Sequence, residues 1–483
     1  MNDINSKVVK ATKWSSVTEL ASKLVSPIST MVLARILAPE AFGVLVTVTM
    51  VITFAEVLTD AGFQKYIVQH KFDSEDALFK STTVAFWANL TMSLVIWIAI
   101  ILFRDPLAEL VGNAGYGSVI AVASICIPLA AFSSIQMAMY RRLFDFKTLF
   151  YARMIGVLVP LAVTIPLAYI LRSYWALVWG MIALNCANAI FLTIKSRWRP
   201  TLFFDWSLLH AMLSFSIWSM MEAISIWLTT YVDIFFIGRM LDGYYLGLYR
   251  TSMNTVGQIV GLITASTTPV LFSALSKLQD DKTEFEGLFL KFQKLVGYLV
   301  IPLGFGIFVF RGLITDILLG SKWSEAAFFM GLWGLTSSIT IVLSHYSSEI
   351  YRSLGKPKIS FWVQLTQIAC IIGVIIWALP LGYKALCEWR ALVRLELVVA
   401  NLLVMWTVIK MSPWKMIKNV LPSLLCATVV STIMIFVVDQ TNVLTSIVYA
   451  ILSIIIYVAL TSLFPEERKV LKRIPALIFK RRS

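Results

Sequence analysis

Fourteen apolar runs, each about as long as a bilayer is thick, follow one another along the 483-residue chain. A helix rises about 1.5 Å per residue, so roughly 20 mostly apolar residues cross a hydrocarbon core. Runs of that length fall near 16–37, 41–63, 81–103, 117–139, 149–171 and 174–194. Six more lie near 207–237, 245–275, 292–313, 326–349, 359–382 and 387–409, and a final pair near 419–438 and 442–464. Lipid offers no partner to a backbone N–H or C=O, so each run must satisfy its own groups, as a helix does. The pattern predicts an all-α polytopic membrane protein with 14 transmembrane helices. Composition agrees, at 59% hydrophobic and 14% charged, where soluble domains run near ~45–50% and ~25%. The joining segments are too short to hold a soluble catalytic domain, and no nucleophile–base constellation is present. The expectation is a protein that is not an enzyme.

Charge then orients the runs. Lys and Arg exceed Asp and Glu by 41 to 27, a net +14. In a soluble protein that surplus would suggest nucleic acid; among membrane spans it reports basic cytoplasmic segments. With the N-terminus inside, 28 of the basic residues fall in cytoplasmic segments and 8 in external ones. The other five, Lys23, Arg153, Arg250, Lys294 and Arg394, lie within spans. This bias puts both termini in the cytoplasm and requires an even number of spans. The tail carries seven Lys/Arg between Arg468 and Arg482 and is expected to lie on the anionic inner leaflet. Residues 1–14 are polar, with Lys7, Lys10 and Lys13, and show no cleavable signal pattern. Five cysteines are scattered singly and none of the three histidines pairs at ligand spacing, so neither a disulfide framework nor a metal site is expected.

Two segments recur. Arg35-Ile36-Leu37 followed by Gly43 matches Arg239-Met240-Leu241 followed by Gly247, 204 residues later. Tyr140-Arg141, Leu143, Lys147 and Phe150 match Tyr351-Arg352, Leu354, Lys358 and Phe361, 211 residues later. Each pair occupies the same place within its group of six spans. The chain therefore reads as two six-helix bundles, 1–200 and 201–412, followed by two extra helices at 413–464 and a basic tail at 465–483. Six is even, so the bundles are parallel, a design in which transporters place the substrate path between the halves.

Ionisable groups within a span are costly and mark a cavity or a partner. Glu19, Lys23, Ser26 and Thr30 share one face of the first span. Thr49, Thr53, Glu56 and Asp60 repeat that spacing in the second, and Glu222, Ser225, Thr229 and Asp233 form a stripe in the seventh. Arg250, Asn254 and Gln258 mark the eighth. A wet face on the first two helices of each half points to a hydrophilic path. The competing reading is local: Glu19 and Lys23 pair one turn apart, while Asp60, Asp233 and Arg239 snorkel from span ends. Gly257, Gly261 and Ala265 read as a helix-packing strip. Asp280-Asp281-Lys282-Thr283-Glu284 reads as a solvated loop rather than a metal site.

These residues carry a family resemblance. Leu58-Thr59-Asp60-Ala61-Gly62-Phe63 with Ile67-Val68-Gln69 resembles the second-helix end of Wzx-type polysaccharide flippases. So does Val232-Asp233-Ile234-Phe235-Phe236-Ile237-Gly238-Arg239-Met240-Leu241, followed by Leu246-Gly247-Leu248-Tyr249. Leu271 to Gln279, Ile301-Pro302-Leu303 and Leu319-Gly320-Ser321-Lys322-Trp323 fit as well. The likeness is nearest the colanic-acid and teichuronic-acid branch of the multidrug/oligosaccharidyl-lipid/polysaccharide exporter superfamily. It departs at Glu388, Arg390, Arg394 and Glu396, where the start of span twelve is unusually charged. The resemblance implies a flippase in the bacterial cytoplasmic (inner) membrane. It would carry undecaprenyl-diphosphate-linked oligosaccharide to the outer leaflet by alternating access, driven by a proton or sodium gradient with no cofactor. A polymerase and glycosyltransferases would be further partners. A diphosphate needs positive charge in a low-dielectric core, which makes Lys23 and Arg250 the leading substrate candidates. Asn254, Gln258, Arg35 and Arg239 join them on the path. Glu19, Glu56, Asp60, Glu222 and Asp233 are the ion-coupling candidates, because a desolvated carboxylate seeks a proton or cation. The alternative is a cation-coupled multidrug or small-molecule antiporter of the same superfamily. A membrane glycosyltransferase would need a large external loop, which this chain lacks.

Overall fold

A computed structural model describes residues 22–465 and 468, apart from 24, 197, 357 and 439–442. Among these residues there is no strand, and thirteen helices are long and apolar enough to cross a membrane. In chain order, after the shorter apolar helix α1 (Val25–Ile36), they begin with α2 (Pro39–Asp60), α3 (Glu75–Leu102) and α4 (Gly117–Arg142). Next come α5 (Phe146–Leu171), α6 (Trp175–Lys195), α7 (Trp206–Met240) and α8 (Gly243–Leu275). The series ends with α9 (Lys282–Val309), α10 (Ala326–Ser353), α11 (Lys358–Leu381), α12 (Tyr383–Ile409), α13 (Pro413–Val437) and α14 (Val443–Thr461). Every one of the thirteen falls on an expected run. The start of the first run lies outside the described residues.

The ends of the helices are written in short polar residues. Ser74 caps α3 by accepting from the Ala77 amide at 3.1 Å, and Asp145 caps α5 through the Thr148 amide and hydroxyl. Asp205 takes the Ser207 and Leu208 amides of α7. Asp281 takes the Thr283 and Glu284 amides at 2.9 and 3.0 Å, so the acidic stretch 280–284 starts α9. In each case a side-chain oxygen satisfies amides that have no partner within the helix. Prolines interrupt the interiors. Pro128 has no N–H to give the Ser124 carbonyl, which instead accepts from Ile127, and α4 breaks there. Pro160 opens a widened π-turn, Pro160–Thr164, inside α5.

The chain divides into two compact units between Arg250 and Thr251. In the first, α4 packs on α2, α3 and α6, while α7 packs on α2, α3 and the short helix Phe63–Gln69. The segment leading into α7 is tied down: Trp198 is buried against Phe86, and Trp87 donates to the Thr201 carbonyl at 2.7 Å. That anchorage is why α7, which the repeat assigns to the second half, packs with the first unit. In the second unit α9 runs between α10 and α13, α11 lies on α12, and α14 closes on α13 and α9.

The recurring segments fold alike. Asp145 N–H donates to Tyr140 O, and Lys356 N–H to Tyr351 O, at 2.9 and 2.8 Å. Phe144 N–H and Gly355 N–H donate to Arg141 O and Arg352 O at 3.2 and 3.1 Å. Phe144 (φ 56°) and Gly355 (φ 67°) both sit in the left-handed region. This is one helix-ending motif written twice, 211 residues apart.

Candidate functional site

Among the stripe residues, the hydroxyls and the charges behave differently. Thr49 and Thr53 donate back to Leu45 O and Thr49 O, each at 2.7 Å. Ser225 and Thr229 donate to Met221 O and Ser225 O, at 2.9 and 2.8 Å. Each of these hydroxyls has an acceptor on its own helix and so does not by itself require a cavity. The charged members reach across helices. Glu222 of α7 meets Lys65 of the Phe63–Gln69 helix at 2.6 Å, with both side chains about half exposed. Asp60, the last residue of α2, keeps its Oδ1 buried without a hydrogen-bond partner. Beside it, Arg141 donates to Gln64 at 3.3 Å. Glu56, one turn earlier, lies near Cys126 of α4, whose thiol also meets Asn185 of α6. The α2 face therefore carries two half-buried carboxyls into the interior of the first unit.

The α7–α8 hairpin holds the next group. Trp227 Nε1 donates to Met50 O and Thr53 Oγ1 at 3.3 and 3.2 Å, joining α7 to α2. Its ring lies 4.7 Å from Phe54 and 5.4 Å from Tyr231. Arg250 continues the series, 5.6 Å above the Tyr231 ring and donating to Thr230 O at 3.4 Å. Asp233 is fully buried, accepting from Tyr249 Oη at 2.7 Å and from the Ile234 amide at 2.9 Å. Its carboxylate thus ties the two helices of the hairpin together.

The remaining expected residues are spread out. Lys23 is half-buried, next to Ser22, whose hydroxyl accepts from Arg153 Nε at 3.4 Å. Asn254 is exposed and Gln258 half-buried, and the spacing keeps both on the Arg250 face of α8. Arg35 and Arg239 are exposed at the ends of α1 and α7. Glu19 lies outside the described residues. A Cβ at Gly257 would meet open space, so that glycine is not the packing contact expected of it.

Sequence reasoning missed Lys65, Trp227 and Tyr231, because nothing in their local pattern says which helix they meet. It noticed Arg390 and Arg394 only as an anomaly. The structure places both inside α12, where Arg390 is buried and the two guanidinium groups lie 5.1 and 3.9 Å from the Trp333 ring of α10. Arg394 also donates to Ser337, and Glu396 accepts from Thr366 of α11 at 3.0 Å. The charges that blurred the edge of span twelve are thus packed between helices of the second unit. That unit also holds an apolar cavity of about 420 Å³ between α9, α13 and α14, lined by Tyr298, Pro302, Val430, Met434 and Tyr457.

Residues 32–328 match the protein family described as "Polysaccharide biosynthesis protein". Among similar proteins is the succinoglycan biosynthesis transport protein ExoT of Rhizobium meliloti (strain 1021). It is 22% identical over 373 residues, covering 77% of this chain and 74% of that one. The lipopolysaccharide biosynthesis protein WzxC of Escherichia coli (strain K12) is 24% identical over 328 residues, 67% of this chain and 65% of its own length. Among solved structures, the lipid II flippase MurJ in an inward closed conformation superposes with a TM-score of 0.76 at 15% identity. The match covers 94% of this chain and 98% of that one. An inward-facing multidrug resistance transporter of the MATE family gives 0.55 at 12% identity, over 84% and 98%.

Proposed function

The chain belongs to the polysaccharide biosynthesis protein family, and from that premise we propose that it is a flippase for undecaprenyl-diphosphate-linked oligosaccharide. It is a transporter and not an enzyme, a multi-pass membrane protein whose chemistry is binding and release. In this reading the repeat units cross from the inner to the outer leaflet of the cytoplasmic membrane, and both termini lie in the cytoplasm. The parallel bundles 1–200 and 201–412 alternate access, driven by a proton or sodium gradient. The polymer would then be built by partner glycosyltransferases and a polymerase.

The observation that carries the reading is charge carried on membrane-length helices: Arg250 of α8 stacked on Tyr231, and Glu56 and Asp60 half-buried on α2. A diphosphate entering a low-dielectric path needs fixed cations, which Lys23 and Arg250 supply and Asn254, Gln258, Arg35 and Arg239 extend. Glu56, Asp60, Glu222, Asp233 and Glu19 are the carboxyls available to a coupling ion. The apolar cavity beside α13 and α14 suits the prenyl chain, since its lining is almost wholly hydrocarbon. An antiporter of small cations would need the carboxyls and have no use for Lys23 or Arg250.

Depletion in the native host tests the reading. Lipid-linked repeat units should accumulate on the inner leaflet while surface polysaccharide falls. Unchanged surface polysaccharide would overturn it.

A further inference from the structure

In the second unit a cleft opens where α12 passes into α13. α12 packs on α10 and α11, and α13 on α9 and α14. The two helices thus belong to different layers and leave a space of about 770 Å³ where the chain joins them. Its walls include Trp406, Lys410, Ser412 and Trp414. Both helices are of membrane-spanning length and only residues 410–412 separate them, which puts the cleft at the level where hydrocarbon meets water. The two indoles, 62% and 65% exposed, stand where Trp is favoured, because the ring suits the acyl border and its N–H the headgroups. Exposed Val399, Leu403 and Trp406 share one face of α12, and exposed Trp414, Lys418 and Leu425 one face of α13. Each of these faces runs from the cleft into the bilayer.

The turn itself is pinned. α12 ends in a widened π-turn, Met405–Ile409, and the Met411 amide closes it by donating to Met405 O at 2.9 Å. Met405, Met411 and Met416 are buried. Lys410 then takes φ 62°, a left-handed conformation in which glycine is the ordinary choice. Strain of that kind persists where a site needs the side chain, and here it keeps a cation on the cleft wall. Lys415 and Lys418 follow on α13, and residues 397–438 contain no Asp or Glu. Lys415 meets Glu286 of α9 at 3.5 Å. Ser412 precedes α13 without capping it, so its hydroxyl can donate to a ligand.

We propose that this cleft binds an anionic phospholipid, with its phosphate held by Lys410 and Ser412 and its acyl chains laid along the apolar faces of α12 and α13. The charge selects the occupant. The chain's own tail, basic from Arg468 to Arg482, has the wrong sign. A soluble phosphate would meet the lysine but use neither the indoles nor the apolar faces. The leaflet alone rests on the orientation reading, which places the site on the anionic inner side. A lipid seated there touches helices of both layers and stabilises their junction.

Full-length protein in neutral detergent is titrated with phosphatidylglycerol, followed by native mass spectrometry and by the unfolding midpoint. The parent should bind phosphatidylglycerol more tightly than phosphatidylcholine, and its midpoint should rise as it does so. Lys410→Gly should weaken that binding on the order of five-fold, yet raise the midpoint of the lipid-free protein by relieving the left-handed strain. Trp414→Ala should weaken binding likewise. Lys356→Gly, which removes an exposed loop lysine outside the cleft, should leave it unchanged. Unaltered binding in both cleft variants would overturn the site, as would an equal loss in Lys356→Gly. A fall of both binding and lipid-free midpoint in Lys410→Gly would make the lysine a support of the turn and also overturn it. Displacement of the lipid by an equal concentration of inorganic phosphate would assign the cleft to a soluble anion instead. Failure of the flippase or orientation reading shows elsewhere, in lipid-linked oligosaccharide levels and in the face from which Ser412→Cys is labelled.

Discussion

Arg250 is held from two sides, by the Tyr231 ring and by the Thr230 carbonyl, and that makes lysine an informative replacement. Lysine keeps the charge but loses the planar stack and the fixed direction of the guanidinium. Arg250→Ala is expected to lower translocation about ten-fold or more, and Arg250→Lys to recover only part of it, since stacking is worth about 0.5–2 kcal/mol. Flux of lipid-linked oligosaccharide at matched expression measures both. Lys65 and Glu222 make a different case: half exposed, their pair adds at most about 1 kcal/mol to stability. Glu222→Lys should nevertheless impair transport by facing Lys65 with a like charge. The double exchange Lys65→Glu with Glu222→Lys should restore it; no rescue would mean that each residue acts through something other than the pair. Asp233 separates structure from coupling. Tyr249→Phe leaves its buried carboxylate short of a donor, a loss of about 1–3 kcal/mol visible as a lower unfolding temperature in detergent. If the carboxylate also carries the coupling ion, Asp233→Asn abolishes gradient-driven flux beyond what its own loss of stability explains.

At the scale of helices, the apolar runs were legible because hydrocarbon thickness dictates their length, and thirteen of fourteen expectations coincide with described helices. Internal breaks were legible only where proline causes them. The π-turn Ile341–His345 in α10 contains no proline, and a single chain pattern gives no notice of it. Hydroxyl stripes are a weak signal for a specific reason: they suggest water, yet each such hydroxyl can donate to a carbonyl of its own helix, as Thr49 and Thr229 do. The repeated helix-ending motif offers a direct test of local strain. Its left-handed position is Gly355 in one copy and Phe144 in the other. A side chain there costs about 1–2 kcal/mol. Gly355→Ala should therefore lower the unfolding midpoint, whereas Phe144→Gly should raise it, each read by thermal denaturation of the purified protein.

For the whole molecule, charge and repeat spoke to orientation and symmetry, while packing decided the rest. The 204-residue offset was visible in Arg35 to Gly43 and Arg239 to Gly247, but nothing in either segment says that the two copies touch, Gly43 against the Gly243 carbonyl and Gly247 against the Pro39 carbonyl. The anchorage of Trp198 and Thr201 likewise moves α7 into the first compact unit, past the sequence boundary near 200. The distribution of Lys and Arg still makes the strongest claim about the whole chain, because each basic cluster resists translocation and the clusters agree. Cysteines introduced one at a time, at Ser321 between α9 and α10 and at Ser412 between α12 and α13, put that claim to the test. An impermeant thiol reagent outside intact cells should label Ser321→Cys and spare Ser412→Cys. Once the membrane is permeabilised, both should react. The reverse pattern would invert the protein and make export by this route untenable. Labelling at both positions before permeabilisation would mean an even number of crossings between them, whereas α10, α11 and α12 are three membrane-length helices among the described residues. That number already predicts opposite faces, so the structure and the charge count stand or fall on the same pair of measurements.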